Sequence, residues 1–256
     1  MIPVVVRNVK IGEGIPKICV PIVGRTYEEI VDQAKKIKEL PADIVEWRAD
    51  WYEDVFQSEN VKSVLLEIRD ILEEKPILFT FRTAEEGGEK NIDDAAYLVL
   101  NKAVITTKCI DLIDLEIFSK ASVADEVIRH AHQHDVKIIA SNHDFEKTPE
   151  KTEIVRRLQK MQNLGADILK IAVMPRTEQD VQRLLEATQE MYSQAKKPLV
   201  TMSMSELGMV SRTSGEAYGS AMTFGSAGKT SAPGQIPVEE LKLILEQFHE
   251  TQRKKG

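Results

Sequence analysis

"ADILKIAVMP", residues 166–175, reads as one buried β-strand with an ammonium group at its centre. Ile168, Leu169, Ile171, Ala172 and Val173 are apolar, and Lys170 stands among them. A buried lysine must be neutral, paired or reactive. Seven further runs share this character: "KICVPIV" (17–23), "DIVEWRA" (43–49), "PILFTFR" (76–82), "CIDLIDLEI" (109–117), "VKIIASNH" (136–143), "PLVTMSM" (198–204) and "SAMTFGS" (220–226). Longer amphipathic stretches separate them, such as "TYEEIVDQAKKIKEL" (26–40) and "TEQDVQRLLEATQEMYSQA" (177–195). In the second, Val181, Leu184, Leu185 and Thr188 fall on one helical face.

The runs begin roughly 25 to 35 residues apart, the size of one βαβ unit. Eight such units in 256 residues predict an α/β fold, a TIM (β/α)8 barrel. The rival, a doubly wound sheet, has fewer strands for this length. No Gly/Ser/Pro-rich linker divides the chain, so residues 1–256 are expected to form a single barrel domain. "VVVRNVKIGEG" (4–14) precedes the first unit. It reads as an N-terminal β-hairpin closing the barrel floor, with "GEG" as a loop.

Hydrophobic residues make up 42% of the chain and charged residues 29%, with a net charge of −7. That balance argues against a nucleic-acid or anionic-membrane partner, and the short basic tail "QRKKG" reads as a solvated terminus. No apolar run approaches the ~18 residues of a membrane helix, and "MIPVVVRN" lacks the features of a secretory signal. Cys19 and Cys109 have no metal-type spacing and read as free thiols in a reducing cytoplasm.

Side chains alternate across a strand, so parity separates a barrel's interior from its helix-facing side. Glu46 and Arg48 share one parity, as do Thr80 and Arg82, Asp114 and Glu116, and Ser141 and His143. Their alternates, including Val45, Trp47, Phe79, Phe81, Leu115 and Ile117, are apolar. Singly, each polar residue could be a strand-end charge reaching solvent. As a set near the C-terminal strand ends, with Lys170, they predict a polar substrate pocket where this fold places its active sites.

A lysine with an ordinary pKa near ~10.4 is neutral in only ~1 molecule in 2,500 at pH 7. Desolvation or nearby cations that brought it to ~8 would raise the neutral fraction on the order of 200-fold. Such an amine attacks carbonyls to form a Schiff base, whose iminium acidifies the neighbouring C–H. His143, one strand–helix unit earlier, is the candidate base.

"EWRAD" (46–50), "FTFR" (79–82), "EEGGE" (85–89), "SNHDF" (141–145), "LKIAVMP" (169–175), "TMSM" (201–204), "SR" (211–212) and "SAPGQ" (231–235) occur in that order. Together they resemble the type I 3-dehydroquinate dehydratases of the shikimate pathway, over nearly the whole chain. The resemblance implies a TIM-barrel lyase that converts 3-dehydroquinate to 3-dehydroshikimate through an imine, with no metal or organic cofactor. It places the imine lysine on Lys170, the acid/base histidine on His143 and the carboxylate that orients it on Glu86. Substrate binding falls to Glu46, Arg48 and Arg82, with Arg212 gripping the substrate carboxylate and Ser231 and Gln235 on a closing loop. Met202, Met204, Phe224 and Ala232 match apolar lining positions. The family often has a serine where this chain has Pro21, which puts one hydroxyl contact in question. The resemblance also implies a homodimer.

Other features point elsewhere. "GKT" (228–230) suggests a phosphate loop, but that motif needs glycine where Thr223 stands. His130, His132 and His134 suggest metal, yet on a helix only His130 and His134 share a face, and a solvated helix end is the plainer reading. A class I aldolase would share the lysine, though multiple arginines suit a carboxylate substrate better. A barrel that only binds metabolites would be expected to have lost the lysine or the histidine.

Overall fold

Eight parallel strands form where the eight runs stand. The computed structural model describes residues 1–228 and 230–253, so Lys229 of "GKT" and Lys254, Lys255 and Gly256 of the basic tail lie outside the described residues. A hairpin, β1 (Val4–Val6) and β2 (Val9–Ile11), opens the chain. Then follow β3 (Lys17–Ile22), α1 (Tyr27–Lys38), β4 (Ile44–Arg48), α2 (Ser58–Leu72), β5 (Ile77–Thr80), α3 (Asp94–Thr106), β6 (Leu112–Glu116) and α4 (Ala121–Gln133). The second half contains β7 (Lys137–Asp144), α5 (Lys151–Asn163), β8 (Ile168–Val173), α6 (Glu178–Gln194) and β9 (Leu199–Ser203). Short α7 (Met209–Thr213) and α8 (Gly215–Tyr218), β10 (Met222–Ser226), two-residue β11 (Ile236–Pro237) and α9 (Val238–Arg253) complete it.

The sheet runs β11-β10-β3-β4-β5-β6-β7-β8-β9, and all its pairings are parallel. It curls far enough for its ends to meet: Leu199 bridges Ser220, and Ala221 N–H donates to Leu199 O at 2.7 Å. The result is an α/β fold with a curled parallel sheet. Among the described residues, no helix is long and apolar enough to cross a membrane.

The helices start where local chemistry allows. Thr26 caps α1 by accepting from Glu29 N–H, with Glu28 and Glu29 in the first turn and Lys35, Lys36 and Lys38 in the last, matching the helix dipole. Thr177 and Asp180 form a reciprocal capping box on α6. That helix buries Val181, Leu184, Ala187, Thr188 and Met191, whereas Leu185, expected on the same face, is partly exposed. Its angular position falls at the edge of the buried stripe, beside Leu207 and Val210.

Parity sorts the interior as expected. Val45, Trp47, Phe79, Phe81, Leu115 and Ile117 pack outward with helix residues such as Ile30, Leu65 and Ile68. Cys19, Ile44, Leu78, Leu112, Ile139 and Ile168 face inward and share a buried cluster with Val4, Val6 and Ile11 of the hairpin. One step further along the same strands the inward positions turn polar: Glu46, Thr80, Asp114, Ser141 and Lys170. An apolar layer thus lies beneath a charged one.

A recurrent device at the N-terminal strand ends was not anticipated. Asp43, Asp111 and Asp167 each precede a strand, and each carboxylate accepts a backbone N–H from the first two residues of the preceding strand, Ile18 (2.8 Å), Ile77 (2.8 Å) and Ile138 (3.0 Å). Their own N–H groups return a bond to the same three residues. Asp111 also takes Arg7 at 2.6 Å, tying the hairpin to the strands above it. His132 likewise bonds Asp167 at 2.9 Å, and His134 Nδ1 contacts His130 O at 2.9 Å, so this helix end is bonded to the protein rather than merely solvated.

Candidate active site

The residues that the resemblance assigns to catalysis and substrate binding all line one pocket at the C-terminal strand ends, whereas Thr80, Asp114, Glu116 and Ser141 of the parity set are buried and do not line it. β7 and β8 pair with Ser141 opposite Lys170 and His143 opposite Ala172, so lysine and histidine stand on neighbouring strands over one opening.

Lys170 is 4% exposed. Its Nζ donates to Asp114 Oδ2 at 3.0 Å and lies 4.7 Å from the centre of the Phe224 ring. Asp114 is a hub: its Oδ1 accepts from Arg82 Nη2 and from Ser141 Oγ, both at 2.6 Å. Burial pushes the Asp114 carboxyl up, but Arg82 and Lys170 outweigh it and hold it at about 2. Asp114 was legible as an interior residue, but not as the lysine's partner.

His143 Nδ1 lies 3.0 Å from Glu86 Oε2, and the His143 backbone N–H donates to the same oxygen at 2.9 Å. Glu86 sits on a 3-10 turn, Ala84–Glu86. Gly87 follows with φ +82°, and a Cβ there would lie 2.2 Å from the Phe145 ring. Burial and the Glu116 carboxylate raise Glu86 to about 7, against the pull of Arg82 and two hydrogen bonds. His143 is driven well below the ordinary histidine range by burial and by the cations Arg82, Lys170 and Arg48. The ring is therefore neutral at neutral pH, as a general base requires.

The arginines differ in availability. Arg48 makes a bidentate pair with Asp50 (2.8 and 2.7 Å), and only its Nη1 faces the loop, 3.5 Å from Ser231 O. Asp50 also accepts backbone N–H groups from Arg82 and Glu89, binding the Arg48 strand to the Glu86 loop. Arg82 is committed to Asp114, Glu116 (2.8 Å) and Ser141 (3.1 Å). Both guanidiniums are held above their ordinary range by these carboxylates, although burial opposes it. Arg212 is 1% exposed and, among the described residues, has no carboxylate partner. It reaches Pro233 O (3.0 Å) and Met202 Sδ (3.8 Å), its Nε is unsatisfied, and burial lowers it to about 10. A buried cation without a counterion is costly, so its guanidinium is suited to an anionic group of a ligand.

The remaining candidates complete the walls. Glu46 accepts from Thr80 Oγ1 at 2.7 Å. Gln235 grips Ser231, accepting its backbone N–H at 2.9 Å and donating to its hydroxyl at 3.0 Å. Met202, Met204, Phe224 and Ala232 supply apolar lining, joined by Gly87, Phe145 and Ala172, which the sequence reading did not assign to the site. Pro21 lines a separate small cleft with Gln33, Lys36, Ile37 and Ala227.

Residues 18–252 match the family described as "Type I 3-dehydroquinase". The chain belongs to this family. A 3-dehydroquinate dehydratase from Clostridium novyi is 54% identical over 245 residues, 95% of this chain and 97% of that protein. The crystal structure of a type I 3-dehydroquinate dehydratase from Clostridium difficile, with covalently modified comenic acid, superposes with a TM-score of 0.96 at 52% identity, covering 98% of this chain and all of that one. A Geobacillus kaustophilus 3-dehydroquinate dehydratase gives 0.95 at 35% identity, covering 97% and 96%.

Proposed function

We propose that this chain dehydrates 3-dehydroquinate to 3-dehydroshikimate through a Schiff base on Lys170, with His143 as acid and base. What carries the reading is one convergence: a buried amine, an imidazole held by a carboxylate and a buried guanidinium lacking a carboxylate line the same pocket. The cycle starts when neutral Lys170 attacks the C3 ketone. The carbonyl π electrons move to oxygen, which takes the proton that the nitrogen gives up; the nitrogen lone pair then expels this hydroxyl as water, with a second proton delivered through His143, and the iminium forms. His143 removes a proton from C2, and the electron pair passes into the iminium as an enamine. Its return expels the C1 hydroxyl, which His143 protonates to water. Hydrolysis of the new iminium releases product and restores the amine. Glu86 orients the ring, while Glu46, Arg48, Arg82, Ser231 and Gln235 contact the substrate's polar groups. Met202, Met204, Phe224 and Ala232 bound its ring. No metal or organic cofactor enters this cycle, because the lysine itself supplies the electron sink.

The same reading includes one (β/α)8-barrel catalytic domain over residues 1–256, its floor covered by the hairpin, in a cytoplasmic homodimer of the shikimate pathway. Exposed Leu207, Met209 and Val210 are the candidate dimer surface. Light scattering is expected to give twice the single-chain mass; a monomer mass would reject the dimer. The activity itself is tested by following conjugated-carbonyl absorbance when the protein meets 3-dehydroquinate, and by borohydride trapping followed by peptide mass spectrometry. No absorbance change, or no adduct on Lys170, would reject the assignment.

Arg212→Ala is expected to raise KM by roughly 10- to 100-fold, the cost of about 1.5–3 kcal/mol for a charge-assisted hydrogen bond. Removing an uncompensated buried cation should not destabilise the fold. Steady-state kinetics with a thermal melt checks both, and an unchanged KM would remove Arg212 from the role of carboxylate grip.

A further inference from the structure

Lys170 keeps a partner that the cycle above does not use. Asp114 lies on β6, two strands from the lysine, and reaches it across the interior. Its two oxygens are not equivalent. Oδ1 is saturated by Arg82 Nη2 and Ser141 Oγ, and Oδ2 is left to Lys170. At 1% exposure the carboxylate has no water to turn to, so the arrangement holds one acceptor at a set place beside the reacting nitrogen.

The nitrogen's own inventory changes during reaction. An ammonium carries three N–H donors; the iminium that replaces it carries one, with the same positive charge. Resting on the Schiff-base reading, we propose that Asp114 is the counterion of the Lys170 iminium and sets the direction in which the imine lies. The single N–H points at Oδ2. The C=N plane is fixed by that bond, and the substrate carbon is directed away from Asp114, toward the opening where His143 stands. Phe224, on the lysine's other flank, offers a ring face to the same cation. Arg82 and Ser141 act through Asp114 as positioning residues. The other charged or titratable groups around this pair are Cys19 on β3, Glu46 and Arg48 on β4, Tyr97 on α3, Glu116 on β6, His143 on β7, Glu86 on its loop and Arg212 on α7.

Losing the carboxylate's charge removes what favours the protonated imine, and an opposite charge at this range is worth about 1–3 pH units. Cyanoborohydride reduces the protonated imine in preference to the ketone. Wild type, Asp114→Asn and Ser141→Ala are incubated with 3-dehydroquinate and cyanoborohydride across a pH series, and the Lys170 adduct is measured by peptide mass spectrometry. In Asp114→Asn the pH at which half the trapping is lost is expected to fall by about 1–3 units. Ser141→Ala keeps the carboxylate and sheds a donor from Oδ1, so its midpoint stays or rises. Should the asparagine variant fail to fold, Ser141→Ala carries the test alone. A profile for Asp114→Asn that overlays the wild type, or a midpoint for Ser141→Ala that falls, overturns the counterion role. Absence of any wild-type adduct overturns the Schiff-base reading and this inference with it.

Discussion

Lys170→Ala abolishes turnover, with kcat/KM falling on the order of 10⁵-fold or more, the scale of advantage an oriented intramolecular nucleophile has over a group in solution. The argument is one of electron flow. Without the iminium, the C2 proton must be removed against an unassisted ketone, and no other buried amine lines the pocket among the described residues. The loss is separable from unfolding. Lys170 sits in the charged layer, above the apolar cluster of Ile44, Leu112, Ile168 and the hairpin valines. Its removal leaves Asp114 still bonded to Arg82 and Ser141. The variant should therefore melt within a few degrees of the wild type, a loss of roughly 1 kcal/mol shifting a chain of this size by about 2–4 °C. Two observations decide it: residual kcat/KM, and the borohydride adduct mass, which should vanish with the lysine. Turnover within 100-fold of wild type in a folded variant would sink the covalent mechanism.

What could be read from the sequence follows from which physical rules are local. Periodicity of two located all eight long strands, and parity assigned Glu46, Asp114, Ser141 and Lys170 to one interior, because both depend only on the strand's own geometry. The partners of those residues depend on how the sheet curls. Lys170 meets Asp114 across two strands, Arg48 closes on Asp50 just beyond its strand, and Phe145 folds back over Gly87. No spacing rule contains these contacts. The same holds for Asp43, Asp111 and Asp167, whose repeated place before alternate strands was visible but whose bonds to the neighbouring strand were not. Residue type alone does not separate the three arginines, and only the resemblance gives the substrate carboxylate to Arg212. Packing supplies the physical reason: among the described residues Arg212 has no carboxylate partner, whereas the forks of Arg48 and Arg82 are occupied. For Lys170 the strand's apolar setting and the interior place of Asp114 were legible, but the bond between the two was not.

His143→Ala should lower kcat by about 10⁴-fold, the upper range for one general acid–base group, because one ring serves several proton transfers. The lysine and its pocket remain, so the adduct on Lys170 should still be trapped. The pH dependence is sharper evidence, since it identifies the pair rather than the ring. Glu86 and His143 share hydrogen-bonded contact, so protons leave them as a unit. Burial and Glu116 place the carboxyl near 7, while burial and three cations push the imidazole well below 6.5. The base-competent form has Glu86 ionised, Nδ1–H donated to it, and the far nitrogen free. That form appears as pH rises through about 7, so the acid limb of kcat/KM belongs there. In Glu86→Gln the shared site is gone and the limb reports His143 alone, which moves it below 6.5. Stability has a mixed sign in the same window. The depressed histidine contributes stability above its unfolded pKa and loses it as pH falls. The raised carboxyl contributes stability below about 4.5 and loses it as pH rises toward about 7. The two oppose each other, so a melt should change less across that range than either group alone would give, while activity changes steeply. An acid limb in Glu86→Gln that stays at the wild-type pH would show that His143 titrates without its carboxylate, and the pair would cease to be the unit that delivers and removes protons.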